Sequence, residues 1–111
     1  MVTGEKLESY AAGETIFAEG DPGDGMFIVR SGQVELRTGD VRRETVGEGE
    51  FFGEMALIDN EPRSASAVAL TDCQLTVVDA RRFQFMVQQT PFFALQVMKT
   101  LARRLRQMNI P

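Results

Sequence analysis

The stretch Phe51–Ala69, FFGEMALIDNEPRSASAVA, places Glu54 and Arg63 among small and apolar residues. A guanidinium can bind a phosphate through two parallel hydrogen bonds, and a carboxylate can accept hydrogen bonds from sugar hydroxyls. Gly53 allows another group to approach the backbone closely, and a short helical turn from Glu54 to Ile58 would begin with free N–H groups that attract anions. The residue types and their spacing therefore indicate a sugar-phosphate site.

The alternative is that Glu54 and Arg63 form a partly buried ion pair with each other and hold no ligand. Burying such a pair is seldom a gain in stability, because the loss of solvation can exceed the attraction between the charges. The residues after Arg63 are also small enough to leave space for a ligand beside the next strand: Ser64, Ala65 and Ser66. These two observations favour a ligand over an internal pair.

Composition limits what the 111-residue chain can do. Its length predicts one domain, residues 1–111. A net charge of −4 disfavours general binding to nucleic acid or to an anionic membrane. No apolar stretch approaches the ~20 residues that span a bilayer, and no signal peptide is recognisable, so we expect a cytoplasmic protein.

The sequence contains no histidine, and Cys73 is its one cysteine. Catalytic sites that rely on histidine, histidine-ligated zinc, haem sites and iron–sulfur sites all need residues that are missing. We therefore expect neither an enzyme nor a metal or other cofactor. Cys73 alternates with Leu75 and Val77, which predicts a buried thiol in a strand.

From about residue 13 to residue 79 the sequence reads as short strands separated by Gly, Asp and Pro turns. Residues 33–38, QVELRT, alternate with Val34 and Leu36 facing inward and Glu35 outward. A strand-and-turn spacing of about 8–12 residues is typical of a jelly roll or a related roll. The predicted fold class is thus mainly β, an antiparallel jelly-roll-like β-roll with a short helix in the 54–58 segment.

After Asp79 the apolar period changes to that of helices. Asp79 is positioned to cap a first helix over about residues 80–90, and Pro91 marks the start of a second over about 91–109. The second helix carries basic residues near its end, which we interpret as a solvated face that suits the helix dipole. Its predicted apolar stripe consists of Ala94, Val97, Met98, Leu101, Leu105 and Met108.

Residues 52–67, FGEMALIDNEPRSASA, resemble the phosphate-binding cassette of cyclic nucleotide-binding domains. This module is shared by catabolite-activator-type regulators, cyclic-nucleotide-dependent kinases and gated channels. Residues 13–36, GETIFAEGDPGDGMFIVRSGQVEL, resemble the opening strands of the family, and the two terminal helices match its hinge and lid helices. The chain departs from the family's regulators and channels because it has no helix-turn-helix segment or membrane span, so we expect a stand-alone or excised domain.

The resemblance implies a role for particular residues. Arg63 would pair with the phosphate of a cyclic nucleotide and Glu54 would accept from the ribose 2′-hydroxyl, while a hydroxyl at Ser64 leaves both cAMP and cGMP possible. The remaining expected contacts fall into three groups. Gly53, Met55 and Ala56 would provide backbone groups around the sugar and phosphate, and Ala65 is small enough to leave room for the ligand. The wall beside the base would come from Val46, Phe52 and Ser66, and the lid from Leu101, Arg104 and Leu105.

The resulting hypothesis is a regulatory module whose last helix closes over bound cAMP or cGMP. One alternative is an interaction or dimerisation domain with a vestigial pocket. Another is hydrolysis of the bound phosphodiester, which the lack of histidine and of a metal cluster disfavours. The apolar stripe of the last helix suggests a homodimer or a partner protein bound through that helix.

Overall fold

A computed structural model describes the backbone of residues 5–109 and the side chains of residues 6–107. Within these residues the chain forms eight strands followed or interrupted by three helices. The strands are β1 (Glu5–Tyr10), β2 (Thr15–Phe17), β3 (Gly25–Ser31), β4 (Val34–Thr38), β5 (Val41–Val46), β6 (Phe51–Phe52), β7 (Ser66–Ala69) and β8 (Cys73–Asp79). The helices are α1 (Met55–Asp59), α2 (Ala80–Gln89) and α3 (Pro91–Asn109).

The strands form two antiparallel sheets, in the orders β1-β8-β3-β6 and β2-β7-β4-β5. In the first sheet Phe27 lies opposite Val77, and in the second Leu36 lies opposite Ala67. Except for β4 and β5, which form a hairpin, neighbouring strands in each sheet are separated in sequence by other elements, so the chain passes repeatedly between the sheets. This arrangement confirms the antiparallel β-roll with C-terminal helices.

A first hydrophobic core fills the space between the two sheets. Phe27 stacks on Phe52 with ring centroids 5.1 Å apart, and Phe17 packs against both rings. Each fully buried apolar side chain of this size contributes about 1.5–3 kcal/mol to folding. The buried members of the core are Phe27, Val29, Val34, Val46, Phe52, Ala67, Ala69, Cys73 and Leu75.

The structure corrects the expected facing of β4 at one position. Glu35 was expected to face solvent, but it is buried. Its carboxylate forms ion pairs with Arg37 of the same strand, at 3.3 Å, and with Arg42 of β5. The two long arginine side chains shield the carboxylate, which explains why a strand residue on the polar face is inaccessible.

The helices pack on a second core on the opposite face of the first sheet, where Met26, Phe51 and Val78 alternate along their strands with residues of the first core. Asp79 caps α2 by accepting a hydrogen bond from the amide of Arg82, as expected, and Pro91 occupies the first turn of α3. Val97 of α3 is buried against Phe51 and Val78. No helix in residues 5–109 is long and apolar enough to cross a membrane.

The predicted apolar stripe of α3 is only partly buried. Val97 is buried and Leu101 is partly buried, but Met98 and Leu105 are each 58% exposed. The side chain of Met108 lies outside the described residues. The helix therefore packs on the second core near its middle, through Val97 and Leu101, and leaves apolar surface exposed both before and after Leu101.

Candidate functional site

The segment between β6 and β7 begins with a backbone turn that only glycine adopts easily. Gly53 has a φ of 80°, and a side chain there would meet the guanidinium of Arg63 at 2.9 Å. Helix α1 starts two residues later and ends at Asp59, and the capping residue Asn60 that follows has a φ of 61°. The turn and the short helix bring Glu54 and Arg63 to the same side of the roll.

The guanidinium of Arg63 is held by the roll. Nη1 donates to the carbonyl oxygen of Gly53 and Nη2 to that of Gly25, both at 2.9 Å. Cζ lies 4.1 Å from the centroid of the Phe17 ring, a cation–π distance. The buried Nε has no hydrogen-bond partner among the described residues. Since a guanidinium carries five N–H donors, Arg63 retains donors for a ligand.

The turn between β2 and β3 positions Arg63 through both its backbone and its side chain. The amide of Gly20 donates to the Arg63 carbonyl, and the amide of Arg63 donates to the Asp21 carbonyl, each at 2.8 Å. A Cβ at Gly23 would lie 2.5 Å from Nε of Arg63 and 2.9 Å from Cβ of Ala56. The close approach requires glycine at position 23, so this turn has a role in the site beyond reversing the chain.

The pKa of Arg63 is affected both by burial and by nearby carboxylates. Burial lowers the pKa of the Arg63 guanidinium, and the negative charges of Asp24, Asp21 and Glu54 oppose that shift. Arginine does not lose its proton in proteins, so the group remains a cation. A buried cation beside an accessible cavity is suited to an anionic ligand.

Glu54 is also buried, but its partner is on another element. Both carboxylate oxygens accept from Nη1 of Arg104 in α3, at 2.9 Å each. No ion pair between Glu54 and Arg63 occurs in the part of the chain that the structure describes. The internal pair considered from the sequence is therefore not formed, and Glu54 is neutralised by α3 instead.

The other two guanidinium nitrogens of Arg104 donate to groups of the roll. Its Nε donates to Glu44 at 2.9 Å, and its Nη2 donates to the carbonyl oxygen of Phe51 at 2.6 Å. Its side chain is only 16% exposed. The expectation that the basic residues of α3 form a solvated face is therefore wrong for Arg104, because two carboxylates and a carbonyl of the roll surround it.

These side chains border a cavity of about 540 Å³, within the range of small-molecule sites. Ten residues expected in the site line it: Gly53, Glu54, Met55, Ala56, Arg63, Ser64, Ala65, Leu101, Arg104 and Leu105. The sequence reasoning missed four others: Phe17, Leu36, Ile58 and Pro62. Pro62 and Ile58 lie in the predicted cassette and were within reach of that reasoning, whereas Phe17 and Leu36 come from distant strands.

The residues expected beside the base lie elsewhere. Val46 and Phe52 have no exposed surface and belong to the core between the sheets, so they are outside the cavity lining. Ser66 begins β7, where its hydroxyl accepts from the amide of Glu19 at 2.9 Å. The alternation of residues along a strand indicates which side chains are buried, but not whether they line a cavity or fill the core. The sequence therefore could not identify the residues beside the base.

A family model described as the cyclic nucleotide-binding domain matches residues 7–90 of the chain. The match includes the roll from within β1 onward, α1 with its flanking loop, and all of α2. It covers well over half of the chain, together with the segment that carries Glu54 and Arg63. The chain belongs to the cyclic nucleotide-binding domain family.

Individual relatives agree with this assignment. The cyclic AMP receptor protein of Thermus thermophilus is 40% identical over 106 residues, which cover 91% of this chain and 49% of that protein. The solved structure of the Thermus thermophilus catabolite activator protein matches with a TM-score of 0.83 at 34% identity, over 95% of this chain and 52% of that one.

A further similar structure is the EAL enzyme Bd1971. Its cAMP-bound form matches with a TM-score of 0.71 at 37% identity, and its cGMP-bound form with 0.72 at 38%. These matches cover 93% and 92% of this chain, but only 29% and 28% of the solved chains. The chain likewise spans about half the length of the bacterial regulators that it resembles.

Proposed function

We propose that the cavity binds cAMP or cGMP, with Arg63 pairing with the cyclic phosphate and Glu54 accepting from the ribose 2′-hydroxyl. The observation that carries this proposal is the buried guanidinium of Arg63, which lines the cavity and whose Nε has no hydrogen-bond partner among the residues that the structure describes. Glu54 supports it, since a carboxylate has about four acceptor sites and Arg104 occupies two. Ser64 supplies an exposed hydroxyl beside them.

Helix α3 supplies the lid in this proposal. Leu101 and Leu105 line the cavity one helical turn apart and offer apolar surface to a base. Met55 and Ile58 of α1 line it as well and are 44% and 50% exposed. A bound base would cover part of this surface, and the apolar burial would favour the conformation in which α3 lies over the cavity.

We infer a regulatory role without chemical turnover. Residues 1–111 would form one domain, with the hinge helix at about 80–90 and the lid helix at about 91–109. The roll, expected from the sequence at about 13–79, also includes β1, which pairs with β8. The relatives named as receptor and activator proteins support binding as the activity. A cytoplasmic location, with no nucleic acid or membrane bound by this segment, completes the proposal.

Thermal unfolding with and without saturating cAMP, and separately cGMP, tests the binding. A ligand at about 100 times its dissociation constant adds ~2.7 kcal/mol of stability, which raises the midpoint by roughly 10–20 °C in a domain of this size. Arg63→Ala should abolish the rise. A parent protein that shows no shift with either nucleotide would contradict the proposal, as would an unchanged shift in the variant.

The exposed face of α3 favours a second function, self-association through that helix. Leu95, Met98, Ala102 and Leu105 are exposed and follow the 3-4-3 spacing of a coiled-coil seam. Sedimentation with and without cAMP should show a dimer that Met98→Glu dissociates, because a charge would be buried in the seam. A monomer at high protein concentration under both conditions would exclude this association.

A further inference from the structure

The second half of α3 lies on the roll through polar rather than apolar contacts. The first half is anchored by Val97 in the second core. Beyond Leu101, Arg104 is the one residue that is not exposed among residues 102–107. The end of the lid that carries Leu105 is therefore positioned by whatever holds Arg104.

Glu44 of β5 holds two consecutive residues of α3. Its Oε1 accepts from Nε of Arg104 at 2.9 Å, and its Oε2 pairs with Nη2 of Arg103 at 3.3 Å. Its side chain is 14% exposed and that of Arg104 is 16% exposed, so this pair is shielded from water more than ordinary surface ion pairs, whereas Arg103 is 46% exposed and its pair with Glu44 is the weaker of the two. Because β5 is an edge strand of the second sheet, Glu44 connects α3 to a sheet that its apolar anchor does not reach.

Glu44 is also separate from the ligand cavity. It does not belong to the residues that line the cavity, whereas Arg104 does. Arg104 in turn contacts Glu54, the residue assigned to the ribose. A change at Glu44 thus reaches a nucleotide only through the position of Arg104 and α3.

We propose that Glu44 is a positioning residue that clasps the end of α3 onto the roll and thereby slows the release of a bound nucleotide. The clasp itself depends only on the contacts of Glu44 with Arg103 and Arg104. Its effect on release rests on the proposed nucleotide binding. The two parts are tested by separate measurements.

Hydrogen exchange of the protein without nucleotide tests the clasp. Glu44→Gln keeps the size of the side chain but turns an NH₂ group toward an arginine, so amides in residues 102–107 should exchange about tenfold faster. Glu48→Gln is the matched control, because Glu48 is an exposed carboxylate in the loop after β5. Equal exchange in the two variants would overturn the clasp.

Dissociation of a fluorescent cAMP analogue tests the effect on release. In Glu44→Gln the dissociation rate should rise about tenfold while the association rate changes less than about twofold, since truncating a shielded charge pair acts mainly on dissociation. The rise should be the same for a cGMP analogue. Faster exchange in α3 with an unchanged dissociation rate would overturn this part. Failure of the parent to bind any cyclic nucleotide would instead refute the proposed function and leave the exchange result standing.

Discussion

Arg63 and Glu54 lie nine residues apart and line the same cavity, yet different parts of the molecule hold them. Arg63 is fixed by carbonyls of the roll and by the ring of Phe17. Glu54 is neutralised by Arg104, which belongs to α3. The phosphate half of the proposed site is therefore organised by the roll alone, whereas the ribose half depends on the position of the last helix.

This difference suggests how a ligand signal could reach α3. A ligand shifts an equilibrium only by its different affinity for the two states. A ligand can contact Arg63 whether α3 is docked or released. These contacts therefore raise the affinity for both states equally. Contacts at Glu54 depend on Arg104, so they are the ones that distinguish a docked α3 from a released one.

The largest expected effect is a loss of nucleotide affinity that leaves the docking of α3 on the roll unchanged. Arg63→Gln should weaken cAMP and cGMP binding by about 2–5 kcal/mol, or roughly 30-fold to several thousand-fold, because it removes a desolvated charge. Titration calorimetry measures the loss. Hydrogen exchange in residues 102–107 should stay at the parent rate, since the hydrogen bonds and ring contacts found for Arg63 among the described residues are all with the roll and its loops. Faster exchange in this variant would show that the two halves are not independent.

The next effect should appear in stability. Arg104→Gln leaves Glu54 buried without its cation and should lower the free energy of unfolding by about 3 kcal/mol. The corresponding fall in the unfolding midpoint is about 10–20 °C, measurable by circular dichroism. Arg106→Gln, in the exposed last turns of α3, is the control and should stay within about 0.5 kcal/mol. Equal midpoints for the two variants would argue that Glu54 does not depend on α3.

A smaller effect should follow from crowding Arg63. Gly23→Ala places a Cβ 2.5 Å from Nε, so the guanidinium must shift, and we expect about tenfold weaker cAMP binding. Gly47→Ala is a suitable control because the nearest atom, an oxygen of Glu50, would be 3.8 Å away. Neither glycine has a left-handed φ. The ratio of affinities for the two cAMP phosphorothioate diastereomers should change in Gly23→Ala alone, because it reports the geometry around the phosphate.

The smallest expected effect is a loss of stability at high pH, and it involves Tyr10 rather than Arg63 or Glu54. Burial, with the hydrogen bond to Glu8, raises the pKa of Tyr10 to about 12. The folded state then keeps a proton that the unfolded state loses, so stability is fully present below pH 10 and falls between pH 10 and about 12. Because Tyr10 is partly exposed, the loss should stay below ~1 kcal/mol. In chemical denaturation over this range, Tyr10→Phe should lack this component; an equal fall in the variant would contradict the assignment.

The sequence predicted much of the phosphate half. Gly53, Glu54 and Arg63 are close in the chain, and their conformations follow from local rules about glycine, short helices and proline. The Asp21–Gly25 segment is one of the Gly, Asp and Pro turns that the sequence predicted, but its contact with Arg63 was not predicted. That contact joins residues about 40 positions apart, and nothing in a turn sequence shows what packs against it.

The expected contacts with the base were the weakest prediction. Val46 and Phe52 were expected at the cavity and are in the core, whereas Phe17 and Leu36 line the cavity. All four are apolar residues in or beside strands. The side of a strand that faces a cavity depends on the twist and closure of the roll, which no single strand encodes.

By itself the sequence determined the element types, the family and the pair of residues suited to a sugar-phosphate. Those features depend on periodicity, turn residues and a contiguous motif, all of which act over short distances along the chain. Only the tertiary structure decided the partners of the buried charges. Glu54 pairs with a residue 50 positions later and Arg63 with carbonyls of two different segments, because a buried charge is neutralised by whichever groups the folded chain brings within reach.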